Sequence, residues 1–430
     1  MTFRAAFLKF EGWDYPIYIS RRPGVVNLQV DLKYPTYAFD SVGRLIHVFD
    51  GNKNYLRSLD NRFLSKWREG GRRIRWIPTE EAKPIVEGSY EIASRALNSL
   101  SSGKFQVLPA PKSSSTSIPY LHEGLRIVSQ WDWEKLEEDA KRFKRIYKPV
   151  SILPPDQYMA LVLQATEGCW YNKCTFCTFY RDRRFRIKNP QEFEKHILEV
   201  KAFFGTAISL RKSIFLADAN ALMVSYRTLA SILDVVHKHF DIMPATLTKE
   251  ERIRWRTGHP NGMHGIYSFI DAFTTGRKTS EEWHEIAKKG VRRAYIGMET
   301  GHAPLLEFLR KPGTPEDILN AVRELKNAGI AVGVIILIGA GGDKYYKGHI
   351  EDTAKLLSSM PLDHEDLIYF SRFVPVPGAP YIEIADKSGV RPLSPAEMEI
   401  QEQQIKARFT PMNPKDRPKF SVYDIREFIY

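Results

Sequence analysis

The sequence predicts an α/β protein: a partial (β/α)6 TIM-type barrel, with a β-rich/α+β N-terminal extension and a helical C-terminal tail. Three observations carry this. Strand-like apolar runs alternate with amphipathic helices from residue 153 onward. Six such units are countable, too few for a closed eight-stranded barrel. Residues 1–90 instead show short aromatic and apolar runs separated by turn residues. The boundaries expected are 1–150 for the N-terminal region, 151–381 for the barrel and 382–430 for the tail.

In the N-terminal region, the runs 37–39, 45–49 and 55–59 are broken by 41–43 and by Asp50-Gly51, a hairpin signal because its central turn positions need positive φ. A basic run follows, Arg62, Lys66, Arg68, Arg72, Arg73 and Arg75, interleaved with Trp67 and Trp76. Cations beside flat rings suit phosphates and bases, and equally suit the wet face of a small sheet. Residues 80–100 read as a helix, and 108–119, rich in Pro and Ser, as a linker or exposed loop. Residues 131–147 form an amphipathic helix running from acidic Glu134, Glu137 and Glu138 to basic Lys141, Arg142, Lys144 and Arg145, in accord with the helix dipole.

In the barrel, 158–164 is an almost unbroken apolar run, as a buried parallel strand requires. Further strands are read at 213–216, 264–273, 293–298, 331–338 and 367–373. Helices are read at 190–204, 225–240, 279–289, 315–328 and 349–360, with 241–263 irregular. In such a sheet the functional loops lie at the C-terminal ends of the strands. That topology brings Asp218, Asn220, Asp271, Glu299 and the run 339–342 to one face.

The loop after the first strand holds Cys169, Cys174 and Cys177, the only cysteines among 430 residues. Three thiols within nine positions, and none elsewhere, point to one site needing three thiolates. They offer no pairing framework, which argues for a reducing compartment, hence the cytosol. No apolar run reaches membrane-spanning length, and the charged first 16 residues lack the apolar core of a signal peptide. The net charge is +12; residues 1–150 hold 25 Lys+Arg against 17 Asp+Glu, and so most of the excess. That fits an anionic partner or a basic solvated surface.

Tetrahedral zinc wants four ligands, usually in paired CxxC units. Here there is one CxxC, and the nearest histidine, His196, falls inside a predicted helix. A non-catalytic, zinc-stabilised nucleic-acid- or protein-binding protein is therefore the alternative reading. A cubane cluster held by three thiolates leaves one iron open to another ligand.

The segment 167–188 resembles the cluster loop of the radical S-adenosylmethionine (SAM) enzymes. The spacing is CxxxxCxxC, one residue wider than that family's usual loop, and Phe176 precedes the third cysteine as the family's aromatic does. FLADAN at 215–220 is similar in position to the strand-2 motif, without its glycines and glutamate. GVRRAYIGMETG at 290–301 resembles the strand-4 ribose region, and VGVIILIGAGG at 332–342 the strand-5 segment whose backbone meets adenine. RFVPVPGAPY at 372–381 resembles the end of the barrel in members of unassigned substrate.

The resemblance implies a [4Fe-4S] cluster on Cys169, Cys174 and Cys177, with SAM on its open iron. It implies cofactor contacts at Phe176, Asp218, Asn220, Glu299, Ile338 and Gly339, and places Arg184 or Arg186 as possible partners of the cofactor carboxylate. It implies an external one-electron donor of flavodoxin or ferredoxin type, and a 5′-deoxyadenosyl radical that abstracts hydrogen from a small molecule, peptide or RNA. The absence of further cysteines from the sequence disfavours sulfur insertion, methylthiolation and thiyl mechanisms, and no cobalamin signature stands out.

Overall fold

The structure is a computed structural model that describes residues 3–109 and 117–430. Most of the expected 108–119 linker lies outside the described residues. The chain divides into two compact units: 1–149 with 198–212 and 426–430, and 150–197 with 213–425.

The first unit is built on a nine-stranded antiparallel sheet. Its strands are β1 (Arg4–Phe10), β2 (Ile17–Arg22), β3 (Val25–Val30), β4 (Thr36–Asp40), β5 (Leu45–Phe49), β6 (Asn54–Arg57), β7 (Phe63–Arg68), β8 (Arg72–Ile77) and β9 (Phe105–Leu108). The order is a meander, β8-β7-β6-β5-β4-β3-β2-β1-β9, so chain neighbours pair and short turns suffice. Asp50 organises the β5–β6 turn: its Oδ1 accepts from the N–H groups of Asn52 and Lys53, while Gly51 takes φ 105°. The core packs Leu8, Ile19, Leu28 and Phe39 with residues of helices α1 (Thr79–Ser101), α2 (Ile118–Val128) and α3 (Trp133–Ile146). Arg44 is buried here, with Asp40, Asp139 and the Phe203 carbonyl all around its guanidinium.

The second unit carries a seven-stranded parallel sheet: β10 (Leu161–Gln164), β13 (Ile214–Ala217), β14 (Ile266–Ile270), β15 (Val291–Glu299), β16 (Ala331–Ile338), β17 (Leu367–Arg372) and β18 (Lys419–Val422), in that order. Two-residue strands β11 (Thr166–Glu167) and β12 (Arg186–Ile187) pair separately. The first six strands of the large sheet, with the helices between them, are the expected partial barrel. The tail adds β18 in parallel beside β17, as well as its helices.

Helices α4 (Pro190–Phe204, through Ile197 in this unit), α5 (Tyr226–His239), α7 (Ser280–Lys288), α9 (Pro315–Asn327) and α10 (Tyr346–Ser358) form the crossovers, with the short α8 (Ala303–Phe308) after β15. Helices α11 (Tyr381–Lys387) and α12 (Pro395–Arg408) follow β17. All eight residues of β16 are buried, as its unbroken apolar run demands. The stretch 241–263, expected to be irregular, contains α6 (Lys249–Gly258). That helix buries no residue, so apolar periodicity could not reveal it; its Thr248/Glu251 capping box is the local signal. No helix among the described residues is long and apolar enough to cross a membrane.

Candidate functional site

The C-terminal ends of the strands surround an open cleft in the second unit. Cys169, Cys174, Phe176 and Cys177 reach it from the loop after β10, and Asn220 from the loop after β13. Asp271 follows β14, Gly297 and Glu299 close β15, and Arg372 ends β17. All three thiols therefore edge one space, and none forms a disulfide.

Local contacts shape the cysteine loop. Its base is closed by β11–β12 pairing, where Arg186 and Lys188 grip Glu167 at 3.3 and 2.8 Å. Burial opposes ionisation of Glu167, but the hydrogen bonds from Lys188 and Arg186 win and bring its carboxyl down to about 2. Gly168 takes φ 76°, and a Cβ there would stand 3.1 Å from the Arg184 carbonyl oxygen, so the loop's two arms meet over a glycine. Inside the loop, the Asn172 side chain donates to the Tyr180 carbonyl at 3.1 Å, and Thr175 N–H donates to the Leu309 carbonyl at 2.9 Å.

Asp218 sits beneath the loop rather than on the cleft wall. It is buried and accepts from Gly168 N–H (2.9 Å), Gln164 Nε2 (2.9 Å) and Arg183 Nε (3.2 Å). Burial raises its pKa, against the pull of Arg183. With both oxygens engaged, Asp218 is a brace for the cysteine loop. Asn220 is different. Its Nδ2 donates to Asp271 Oδ2, while its buried Oδ1 has no partner among the described residues. An orphaned acceptor on a cleft wall is a place for a ligand N–H.

Asp271 both caps a turn and faces the cleft. Its Oδ1 caps the following turn through Thr274 N–H at 2.9 Å, and its Oδ2 accepts from Trp170 Nε1 at 2.9 Å on the cleft.

Glu299 ends β15 with φ 61°, where the register with β16 shifts. Its Oε1 accepts from Lys311 Nζ at 2.9 Å. Burial disfavours the ammonium of Lys311, but the Glu299 carboxylate outweighs it and holds the lysine's pKa above its usual value. Burial pushes the Cys174 thiol up to about 12, with Lys311 pulling the other way, and raises Cys177 likewise.

Ile338 and Gly339 are not brought to the cleft wall. The Ile338 carbonyl accepts from Phe373 N–H at 2.7 Å, and Gly339 N–H donates to Gln401 Oε1 at 2.8 Å. A Cβ on Gly339 would lie 2.7 Å from Met398, so this glycine admits helix α12; the neighbouring Leu337 faces the cleft instead. Arg184 and Arg186 do not line the cleft either. Its cations are Lys311, which lay in no motif, and Arg372, which opens the 372–381 segment. His196 is a core residue, its Nε2 accepting Gln164 N–H at 3.1 Å. Among the described residues, no three His, Cys, Asp or Glu stand close enough to hold a single metal ion.

The rest of the wall is apolar and aromatic, with Phe179, Tyr180, Phe269, Phe273 and Tyr295 prominent. It can exclude water from a reacting centre while a few polar groups fix orientation.

Residues 163–357 match the family model of the Radical SAM superfamily. The 4′-phospho-dehydrooxetanocin synthase of Priestia megaterium is 26% identical over 226 residues, 49% of this chain and 28% of that protein. The tRNA-2-methylthio-N(6)-dimethylallyladenosine synthase of Ehrlichia canis (strain Jake) is 23% identical over 244 residues, 55% of this chain and 48% of that one. The chain thus spans between about a quarter and a half of these relatives' length. Among solved structures, coproporphyrinogen III oxidase (HemN) from Escherichia coli aligns with TM-score 0.39 and 12% identity, covering 58% of this chain and 51% of that one.

Proposed function

We propose, from the premise that the chain belongs to the Radical SAM superfamily through residues 163–357, that it is an iron–sulfur enzyme acting on a substrate received in the cleft. In this reading Cys169, Cys174 and Cys177 hold three irons of a [4Fe-4S] cluster, and SAM occupies the adjoining cleft. The observation that carries it is the meeting of all three thiols on one cleft at the strand ends, with no fourth cysteine in the sequence. When bound, the reduced cluster supplies the electron that cleaves the C5′–S bond of SAM and starts hydrogen abstraction.

The residues present fit such a group. Three cysteines from one short loop can wrap a compact cluster, and Lys311 offers positive charge beside Cys174 and Cys177, whose ionisation burial opposes. Asn220 Oδ1 is a free acceptor suited to the ammonium of SAM. Phe176 offers a flat face for adenine. Glu299, held by Lys311 through one oxygen, keeps the other for a ribose hydroxyl. Asp218 acts from behind, setting the loop. The aromatic wall keeps water away from the substrate.

The reading requires an external one-electron donor, of flavodoxin or ferredoxin type, and a reducing compartment such as the cytosol. Hydrogen abstraction is the common step; the substrate class is small molecule, peptide or RNA. Anaerobic reconstitution tests it. A brown protein with about four irons per chain, releasing 5′-deoxyadenosine on addition of SAM and dithionite, is expected. A colourless protein retaining one zinc overturns it.

A further inference from the structure

The segment 372–381 ends on a residue that the cofactor reading leaves without a part. Tyr381 opens α11 and stands behind the cleft rather than on its wall, with 6% of its surface exposed. Its two polar groups reach two different walls. The backbone N–H donates to the Thr175 carbonyl at 3.0 Å. The hydroxyl accepts from the buried Gly341 N–H at 2.9 Å. Thr175 lies between Cys174 and Cys177, and Gly341 in the glycine turn that follows β16. One residue therefore ties the cysteine loop to the β16 wall.

Both ends of the tie are held. Thr175 is anchored on its other side, where its N–H and Oγ1 reach the Leu309 carbonyl at 2.9 and 3.2 Å. A buried backbone N–H such as that of Gly341 requires an acceptor, and the Tyr381 hydroxyl is the one it has. The ring is fixed too, packing edge-on against Phe373 and Phe308 with centroids 4.4 and 5.6 Å away.

Phe373 and Tyr381 belong to an apolar cluster with Leu305, Leu309, Leu337 and Ala340, on which Phe176 also packs. Phe176 and Leu337 line the cleft as well, one from the cysteine loop and the other from β16. The two cleft-facing side chains thus share one backing, cross-tied by Tyr381. We propose that Tyr381 is a positioning residue for the cofactor: it fixes the cysteine loop against β16, and with it the Phe176–Leu337 wall that receives the adenine of SAM. It touches neither SAM nor iron. The proposal rests on the cofactor reading above.

Tyr381→Phe tests it in the full chain, because it deletes the hydroxyl and keeps the ring and the backbone N–H. Tyr345→Phe is the control: its ring packs on the same cluster, and its hydroxyl makes no hydrogen bond among the described residues. Before reconstitution, hydrogen exchange in peptides covering 337–345 should quicken in Tyr381→Phe, with the first unit exchanging as in the parent. Tyr345→Phe should exchange as the parent throughout. After anaerobic reconstitution, Tyr381→Phe should keep the parent's iron content, since the thiols and the tie to Thr175 remain. It should bind SAM about fivefold more weakly in equilibrium dialysis, the worth of one buried hydrogen bond. A purely structural role would lower the urea midpoint and leave SAM affinity alone. Unchanged exchange over 337–345, unchanged SAM affinity at full iron content, or equal effects from Tyr345→Phe each overturn the proposal and leave the cofactor reading standing. A parent chain that itself takes up no iron overturns the cofactor reading and the proposal together.

Discussion

Lys311 Nζ stands 2.9 Å from Glu299 Oε1, and the pair exists because residue 297 is glycine. A Cβ at Gly297 would come within 2.4 Å of Glu299 Oε1 and 2.9 Å of Lys311 Nζ. Strand β15, its left-handed end at Glu299 and the loop carrying Lys311 thus build one charged device on the cleft wall.

Breaking that device from the lysine side leaves a buried carboxylate unpaired. Lys311→Met should lower stability by about 3 kcal/mol in urea unfolding. In the double variant Lys311→Met/Glu299→Gln, much of that loss should return, since no charge is left alone. Equal, additive losses would show that the two side chains are not coupled.

Gly297→Ala attacks the same pair by crowding. The methyl must displace the ends of two flexible side chains, so the expected cost is about 1–2 kcal/mol. Binding of SAM to the reconstituted protein, measured by equilibrium dialysis, should weaken by more than that stability loss alone explains. Unchanged binding would mean that Glu299 does not meet the cofactor.

Asp218 braces the cysteine loop through Gly168 N–H and Arg183. Asp218→Ala leaves the Gly168 N–H without its acceptor and takes one of two carboxylates from the Arg183 guanidinium, which keeps Asp182, and should cost about 2 kcal/mol. Iron retained after anaerobic reconstitution should fall with it, although residue 218 holds no iron. Asp218→Asn keeps an acceptor and should lose less on both counts.

His349 supplies a pH dependence away from the cysteines. Burial pushes its pKa down to about 3, and its Nδ1 lies 2.7 Å from Thr300 Oγ1. Between an unfolded value near 6.5 and the folded value near 3, the unfolded chain holds a proton that the native chain refuses. Stability should therefore fall as pH drops through that window, by about 1.4 kcal/mol per pH unit from this group. His349→Leu should flatten the acid side of the profile, measured as urea midpoints between about pH 6.5 and 4. A profile with unchanged slope would assign the acid sensitivity elsewhere.

Much of this protein was legible in one dimension. Periodicity is local, so the alternating strands and helices of the barrel were readable, and β16 could only be a buried strand. The clustering of Cys169, Cys174 and Cys177 is also a one-dimensional fact, and it located the cleft. Helix α6 escaped because it buries nothing, and β18 because four residues in a polar tail carry no period.

The roles of single polar groups depended on distance, which the chain order does not contain. Asp218 and Asn220 are two residues apart, yet one is saturated with donors and the other keeps a free oxygen. Gly339 and Gly297 each sat in a plausible motif, 332–342 and 290–301. Packing gave the first to Met398 of a distant helix and the second to the Glu299–Lys311 pair. Lys311 had no neighbour in sequence to mark it; only the fold carried it to the carboxylate at the end of β15. By itself, then, the sequence determined the strand–helix framework and the thiol loop, because both are written in short-range spacing. Tertiary structure alone decided which carboxylate braces, which pairs and which glycine makes room, because these depend on contacts between residues far apart along the chain.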